Sequence, residues 1–266
     1  MTTGAPSPKR IAEVFLRSLG WVILPGLPVV SGRAAETGWQ LSLGAGMISA
    51  PKYPGSDKIA SFPFPFFEAT YGDWFFASPI DGIGAGFQPV KNLTLSLALG
   101  LDLEERRARD DARFAGLKDV GYAPDARINA RYETGGFFLD GTLHSRLSDA
   151  TGRGTAADVD AGRLFLVQGP YYFSTGVTCS LMDETYAKNF FGISAAQAAA
   201  TGLRLFPARG GLKDAGGFIE ANQALGGRWE FFARVQISQL QPRAAHSPVV
   251  LKAVQPSLVL TTACRF

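Results

Sequence analysis

Residues 93–103 decide the fold, and they read Leu93, Thr94, Leu95, Ser96, Leu97, Ala98, Leu99, Gly100, Leu101, Asp102 and Leu103. On a helix these leucines would spread around the whole cylinder, whereas a β-strand places all of them on one face. A strand of this length, tilted by about 40°, covers roughly 25 Å of height, like the apolar band of an outer-membrane barrel. The stretch therefore favours a membrane strand with leucine toward lipid. A buried strand of a soluble β-sandwich is the alternative.

The composition excludes a membrane-spanning helix. The chain has 266 residues, of which 31 are glycine, 20 are phenylalanine and only 18% are charged. It contains no apolar run of the roughly 18 residues that such a helix needs. A chain this apolar without a long hydrophobic run is either a soluble β-protein or a membrane barrel.

The N-terminal region has the layout of a secretory signal peptide. Basic residues precede an apolar run over residues 21–30, and small residues follow up to Ala34 and Ala35. We expect residues 1–35 to be a signal peptide cleaved near Ala34 or Ala35, with a disordered basic tail as the alternative. Residues 36–266 are then a single barrel domain. Because residues 1–35 carry the whole net charge of +3, we expect no nucleic-acid partner.

The connections between predicted strands alternate in length along the chain. Strands are predicted from Trp39 to Ala50 at the start through to Pro256 to Phe266 at the end. Every second connection is a tight turn of about two to four residues, whereas most of the others are long. Outer-membrane barrels have short periplasmic turns and longer extracellular loops. We therefore predict an all-β fold, an antiparallel transmembrane β-barrel of about twelve strands, in the outer membrane of a Gram-negative bacterium.

Side chains alternate between the two faces of each predicted strand, and this alternation points charged residues of both signs toward the lumen. A barrel of about twelve strands is narrow enough for long side chains to meet across it. These side chains either form an ion-pair network that fills the lumen or line a selective pore, and both readings stay open. We expect Leu97→Arg to be more destabilising than Ser96→Arg, because only Leu97 would face lipid. The predicted lumen-facing residues are Asp102, Glu104, Arg127, Arg131, Glu133, Asp140, His144, Arg146, Glu220, Arg228, Glu230 and Arg234.

Residue types that carry catalysis or bind metals do not cluster in the sequence. His144 and Ser145 are adjacent on a predicted strand, so their side chains point to opposite faces. His246 and Ser247 lie in a loop without a third group at a defined spacing. We therefore expect no catalytic residue, no cofactor and no metal site.

Several short motifs resemble those of the MipA/OmpV family of outer-membrane proteins. They occur in the family's order along nearly all of the predicted mature chain. The motif residues are Tyr53, Pro54, Gly55, Ser56 and Asp57, then Phe64 and Pro65, then Phe191 and Gly192 within residues 189–193, Gly211 within residues 210–214, and Ser247 with Pro248. The terminal Phe266 resembles the signal that the outer-membrane barrel assembly machinery reads.

The resemblance implies a location more sharply than an activity. The family is named for a scaffold that links a murein hydrolase, a lytic transglycosylase, to a peptidoglycan synthase, and other members are described as adhesin-like or pore-like. The leading hypothesis is a non-enzymatic envelope scaffold, and the second is a small-solute pore or an adhesin-like barrel. A lipid- or lipopolysaccharide-modifying enzyme is the third. The expected partners are outer-membrane lipid or lipopolysaccharide, the barrel assembly machinery, and murein hydrolase and synthase.

Overall fold

Twelve antiparallel strands close into a barrel in the computed structural model, which describes residues 38–168 and 171–266. The predicted signal peptide and its cleavage site lie outside the described residues. Each strand pairs with its neighbours in the chain, and β1 pairs with β12 to close the sheet. The strands are β1 Trp39–Pro51, β2 Ile59–Tyr71, β3 Phe75–Ser78, β4 Gly82–Val90, β5 Leu93–Asp102, β6 Ala123–Thr134, β7 Phe137–Arg146, β8 Gly154–Gln168, β9 Tyr171–Met182, β10 Gly211–Ala224, β11 Trp229–Leu240 and β12 Val254–Arg265.

The leucine-rich strand that predicted the barrel is β5, and its two faces lie as expected. Leu97 and Leu99 are 59% and 64% exposed on the outer surface, whereas Ser96 is 5% exposed inside the barrel. An outer surface covered with large apolar side chains is what a lipid environment requires. The fold prediction is confirmed in strand number, strand direction and closure.

Connections at one end of the barrel are tight turns, and those at the other end include long loops. The turns at residues 72–74, 91–92, 135–136 and 225–228 lie at the end that we identify as periplasmic. An aromatic cluster sits at this end, where the Trp39 ring lies 5.2 Å from that of Tyr71 and 5.7 Å from that of Phe75. The long loops, residues 103–122, 183–210 and 241–253, all lie at the extracellular end.

Three short α-helices lie within the extracellular loops, α1 Glu184–Phe191, α2 Ala195–Thr201 and α3 Pro242–Ala245, and two 3₁₀ helices, Ala108–Asp110 and Ala112–Phe114, lie in the β5–β6 loop. The capping box that starts α2 agrees with the sequence, because the Ser194 side chain accepts from the Gln197 amide and the Gln197 side chain accepts from the Ser194 amide. Helix α1 was not predicted, although Asp183 caps its first turn by accepting from the Tyr186 amide. No helix in the described part of the chain is both long enough and apolar enough to cross a membrane.

Candidate functional site

The extracellular loops fold together into one apolar cluster over the mouth of the barrel, which we call the cap. Each of the longer loops contributes to it. The Tyr53 ring lies 5.2 Å from the Phe114 ring at an angle of 70°, and the Tyr186 and Phe190 rings stack 4.4 Å apart. Its buried residues are Tyr53, Phe114, Leu117, Val120, Ala156, Met182, Tyr186, Ala187, Phe190, Phe191, Ile193, Ala208, Leu240, Ala244 and Val249.

The family motifs of the loops, far apart in sequence, contribute to this cap. Ser247 donates from Oγ to the carbonyl oxygen of Phe191 at 2.5 Å. The Gly55 carbonyl accepts from the Leu251 amide at 2.7 Å and from the Lys252 amide at 3.0 Å. Gly55 has a φ of +96° and lies against Val250, so a side chain at this position would be strained and would clash.

The other residues of the loop motifs lie in or beside these loops, whereas Phe64 and Pro65 lie within β2. Tyr53, Pro54, Ser56 and Asp57 belong to the β1–β2 loop; Tyr53 and Ser56 are buried, and Asp57 is exposed. Gly192 follows α1, and its amide donates to the Ala187 carbonyl at 3.1 Å. Gly211 begins β10 at a φ of +132°, and Pro248 follows Ser247 in the β11–β12 loop.

Two buried arginine side chains stabilise the cap: Arg106 joins the β5–β6 loop to α1, and Arg146 joins β7 to the neighbouring loops. Arg106 donates to the carbonyl oxygens of Phe190 at 3.1 Å and Asn189 at 3.0 Å, at the C-terminal end of α1, where a helix attracts positive charge. Arg146 donates to Asp102 at 2.7 Å and to the Gly152 carbonyl at 2.8 Å. Burial is the main cause that lowers the pKa of Arg106, with the charge of Asp119 acting in the opposite direction.

Polar side chains below the cap form an upper layer in the lumen. The Lys213 ammonium lies 3.0 Å from Glu104 Oε1, and the Tyr186 hydroxyl donates to the same carboxylate. His144 Nε2 lies 3.1 Å from Asp158 Oδ2. Burial raises the pKa of Tyr186 well above its ordinary value, and the charge of Glu104 adds to this effect.

Lys213 reaches this layer because the strand register shifts beside it. On β10 the even-numbered Asp214 and Glu220 face inward, so simple alternation would direct Lys213 toward lipid. A bulge between Leu212 and Asp214 turns Lys213 inward, where it is 3% exposed. Simple alternation along β10 therefore does not predict that Lys213 faces the lumen.

A middle layer of charged and aromatic side chains crosses the lumen. Arg234 lies 2.9 Å from Asp160 and 3.4 Å from Glu220, and its guanidinium sits 3.9 Å from the centre of the Phe218 ring. Arg131 sits 4.4 Å from the centre of the Phe138 ring. The two phenylalanine rings lie 6.2 Å apart, so the two guanidinium–ring pairs are neighbours.

Arg131 forms a second set of ion pairs in this layer. It lies 2.7 Å from Glu133 and 3.6 Å from Asp140. The register places Asp140 directly opposite both Arg131 and Asp160 on the neighbouring strands. Two carboxylates opposite each other would repel, so the flanking arginines stabilise the row.

The lumen narrows again toward the periplasmic end. Phe232 is completely buried and packs against Ile80 of the β3–β4 connection, Leu164 of β8 and Val259 of β12. These partners come from different sides of the barrel, so their contact extends across the lumen. Below them Glu230 forms an ion pair with Arg265.

Most of the predicted lumen-facing residues lie inside the barrel. One expectation needs correction: Arg228 is exposed in the β10–β11 turn, because it stands beyond the strand end, where alternation stops. Glu104 lies just past the end of β5 and Glu133 keeps a 34% exposed side chain, but both pair with buried cations inside the barrel. The buried members are Asp102, Arg127, Arg131, Asp140, His144, Arg146, Glu220, Glu230 and Arg234.

The histidine and serine pairs considered for catalysis are separated. His144 points into the lumen, whereas Ser145 Oγ lies 3.1 Å from Thr155 Oγ1. His246 is exposed, and the Ser247 hydroxyl is turned to the Phe191 carbonyl. Across residues 38–168 and 171–266 no three potential metal ligands lie close enough together to hold an ion.

Comparisons with solved structures give similarity at low sequence identity. Among solved structures, the chain is similar to the COG4313 outer membrane channel from Pseudomonas putida F1, with 10% identity, a TM-score of 0.49 and coverage of 90% of this chain and 100% of that chain. It is also similar to the NanC porin, with 6% identity, a TM-score of 0.39 and coverage of 85% and 99%. No curated protein matches the sequence.

A family model described as MltA-interacting protein MipA matches residues 43–266. The match covers all of the barrel except the first residues of β1, and it includes the loop motifs that meet in the cap. The chain belongs to the MipA family of outer-membrane β-barrel proteins of Gram-negative bacteria.

Proposed function

We propose that this protein is a non-enzymatic scaffold of the cell envelope, held in the outer membrane by a barrel that does not conduct along its axis. The observation that carries the proposal is the succession of buried layers across the lumen: the cap, the Arg131 and Arg234 ion pairs, and Phe232 with its partners. A barrel whose interior is occupied by its own side chains suits an anchoring role.

Energetics argue against a small-solute pore. A solute that moves along the axis would have to separate Arg234 from Asp160 and Glu220, all of which are at most 5% exposed. Breaking one buried ion pair costs about 3–5 kcal/mol, because the remaining charge stays desolvated. The pore hypothesis would need the layers to rearrange, and this cost makes an ohmic channel unfavourable.

The partners that we propose follow from the family name, which points to the murein hydrolase MltA. The periplasmic turns are short, so a partner would contact the rim of the barrel rather than a folded periplasmic domain. Exposed rim residues include Trp74, Arg228, Trp229 and Phe266. A stable interface buries roughly 1,200–2,000 Å² in total, so it would have to span several neighbouring turns.

Co-purification tests the scaffold role. The detergent-solubilised protein is immobilised and incubated with a purified murein hydrolase of the MltA class and a peptidoglycan synthase. We expect retention of at least the hydrolase, and loss of retention when Arg228 and Trp229 are both replaced by Ser. The matched control replaces Arg243 and Leu205, both at the extracellular end, by Ser in the same way. Failure to retain either enzyme, under conditions in which another family member retains it, contradicts the scaffold role.

Planar bilayer recordings test the closed axis independently. The wild-type barrel is expected to give no steady ohmic steps, whereas a variant that lacks Arg234 and Phe232 is expected to conduct more. Steady steps from the wild type would favour the pore hypothesis instead.

A further inference from the structure

The barrel wall is incomplete on one side of its extracellular half. β2 pairs with β1 along its whole length, Ile59–Tyr71, but with β3 only at Ala69, Thr70 and Tyr71. The edge of β2 that faces β3 is therefore unpaired over residues 59–68. On the far side, the pairing of β5 with β4 ends at Leu99, whereas its pairing with β6 continues to Asp102.

The gap exists because the β3–β4 hairpin is too short to reach the extracellular end. β3 has only 4 residues, and the chain turns at residues 79–81. The two strands that separate β2 from β5 end below this level, so the β2 and β5 edges have no strand between them above the turn. Instead of filling the gap, Ile80 folds inward against Phe232. We call this gap the lateral opening.

A cavity leads through the lateral opening into the lumen. Its free volume is about 40 Å³, so only a small head group fits inside and the rest of a ligand would lie outside. Its lining includes Leu101 and Asp102 at the end of β5 and Leu103 just after it, together with Ile48 and His144. Leu101 faces the outer side of the sheet and Asp102 the lumen, so a cavity that touches both reaches around the free edge of β5. The cavity therefore connects the lipid-facing surface with the barrel interior.

The free edge of β2 is built so that another strand cannot pair with it. The Gly72 amide donates to the Gly38 carbonyl and the Lys52 amide to the Lys58 carbonyl, so even-numbered residues of β2 bond to β1. The odd-numbered positions face the gap, and two of them are Pro63 and Pro65. Proline has no amide hydrogen to offer an incoming strand. This arrangement disfavours a β-strand as the occupant.

Arg127, inside the barrel, donates a hydrogen bond to the backbone at the free edge of β5. Its Nη2 donates to the Leu101 carbonyl at 3.1 Å, and its Nη1 donates to the Ile80 carbonyl at 2.6 Å. The guanidinium passes beside Gly100, where a Cβ would come within 2.7 Å of it. The edge is thus stable without a neighbouring strand.

The surface of the lateral opening is apolar outside and polar inside. Phe67, Leu101 and Leu103 are 43%, 45% and 40% exposed at its rim. Inside, Asp125 is 1% exposed and accepts from Arg127 through Oδ2, whereas its Oδ1 has no hydrogen-bond partner among the described residues. A buried carboxylate oxygen without a donor favours a ligand that supplies one.

We propose that the lateral opening admits a single-chain amphiphile from the outer leaflet, with its alkyl chain against the apolar rim and a hydrogen-bond-donating head toward Asp125. The apolar rim fits an alkyl chain, and the unpartnered oxygen fits a hydroxyl or ammonium head rather than an anionic one. This inference is independent of the scaffold role, because it concerns the outer half of the barrel wall and not the periplasmic rim.

Photo-crosslinking in proteoliposomes tests the proposal. The probes are dodecyl chains that carry a diazirine and either a hydroxyl or a carboxylate head, and a phospholipid with a diazirine in its acyl chain. We expect the hydroxyl-headed probe to label the cavity residues Ile48, Ile80 and Thr142, and the carboxylate-headed probe to label them less. Cavity labelling by the phospholipid as strong as that by the hydroxyl-headed probe would contradict a single-chain occupant, whereas labelling by the hydroxyl-headed probe alone supports it.

Two variants close the lateral opening from different sides. Ile48→Trp fills the cavity, and Leu101→Trp fills the rim, where an aromatic residue is tolerated against lipid; the matched control is Leu97→Trp on the same lipid-facing row. Folding of each variant is judged by its heat-modifiable electrophoretic migration. A closing variant that folds should lose the labels inside the barrel and keep those on Leu139. Labels confined to lipid-facing residues in the wild type, or interior labels unchanged by closure, would overturn the proposal.

Discussion

The Ser247 hydroxyl and the Phe191 carbonyl oxygen lie 2.5 Å apart in the centre of the cap, although the two residues are 56 positions apart in sequence. Ser247 is 3% exposed and Phe191 is completely buried, so water cannot replace this hydrogen bond. The contact ties the β11–β12 loop to the end of α1. It explains two of the family motifs as parts of one structural joint.

Ser247→Ala should therefore loosen the cap. The substitution leaves a buried carbonyl group without this donor, which costs about 1–3 kcal/mol. The free energy of unfolding in urea and the rate of proteolysis within residues 241–253 measure the effect. Ser61→Ala is the control, because Ser61 is exposed and bonded only to Ser49 at 3.0 Å. Equal effects of the two substitutions would contradict the assigned role of Ser247.

Arg234→Met should destabilise the barrel strongly. It leaves Asp160 and Glu220 buried without their arginine, at a cost of about 3–5 kcal/mol in unfolding free energy. Lys188→Met breaks the exposed pair with Glu184 and should leave the same quantity nearly unchanged, because water screens this pair. A small effect at Arg234 would mean that water reaches the middle layer.

An arginine scan across β5 tests both faces of the wall. Leu97→Arg should cost about 2–4 kcal/mol, because it places a charge in lipid. The sequence alone predicts a milder effect for Ser96→Arg, but Ser96 is 5% exposed in a filled lumen. We now expect Ser96→Arg to be comparably destabilising, because the new charge finds neither space nor water. Tolerance of arginine at position 96, measured by urea unfolding, would indicate a hydrated lumen.

Alkaline pH should weaken the cap through Tyr53. Burial, followed by the charge of Asp111, raises the pKa of Tyr53 from 10.0 to about 12. A raised pKa means that the folded state holds this proton more tightly than the unfolded state does. The stabilisation is complete below pH 10 and is lost as the pH rises from 10 to about 12.

The midpoint of thermal unfolding, followed from neutral pH to pH 12, measures this contribution. Wild type should lose more stability above pH 10 than Tyr53→Phe does, because phenylalanine cannot ionise. Parallel curves for the two proteins would show that Tyr53 ionises as freely in the folded state as in the unfolded chain.

Strand patterns and turn chemistry were readable from sequence because they depend on near neighbours. The alternation in β5 predicted its lipid face, and the tight turn at residues 135–136 predicted the hairpin of β6 and β7. The spacing of Ser194 and Gln197 is that of a capping box, which starts α2. Pro63 and Pro65 have no amide hydrogen for a strand ladder, which the residue type alone shows.

The tertiary structure decided everything that depends on contacts between distant residues. Only the register shows that the two prolines face the lateral opening, and only the bulge in β10 turns Lys213 toward Glu104, 109 positions away. A pattern with a period of two residues reports which face a side chain takes. It carries no information on which strands or loops meet across the lumen, because closure of the barrel sets those distances. The sequence thus determined a membrane barrel with its faces, and the tertiary structure decided that its lumen is filled and its wall open on one side.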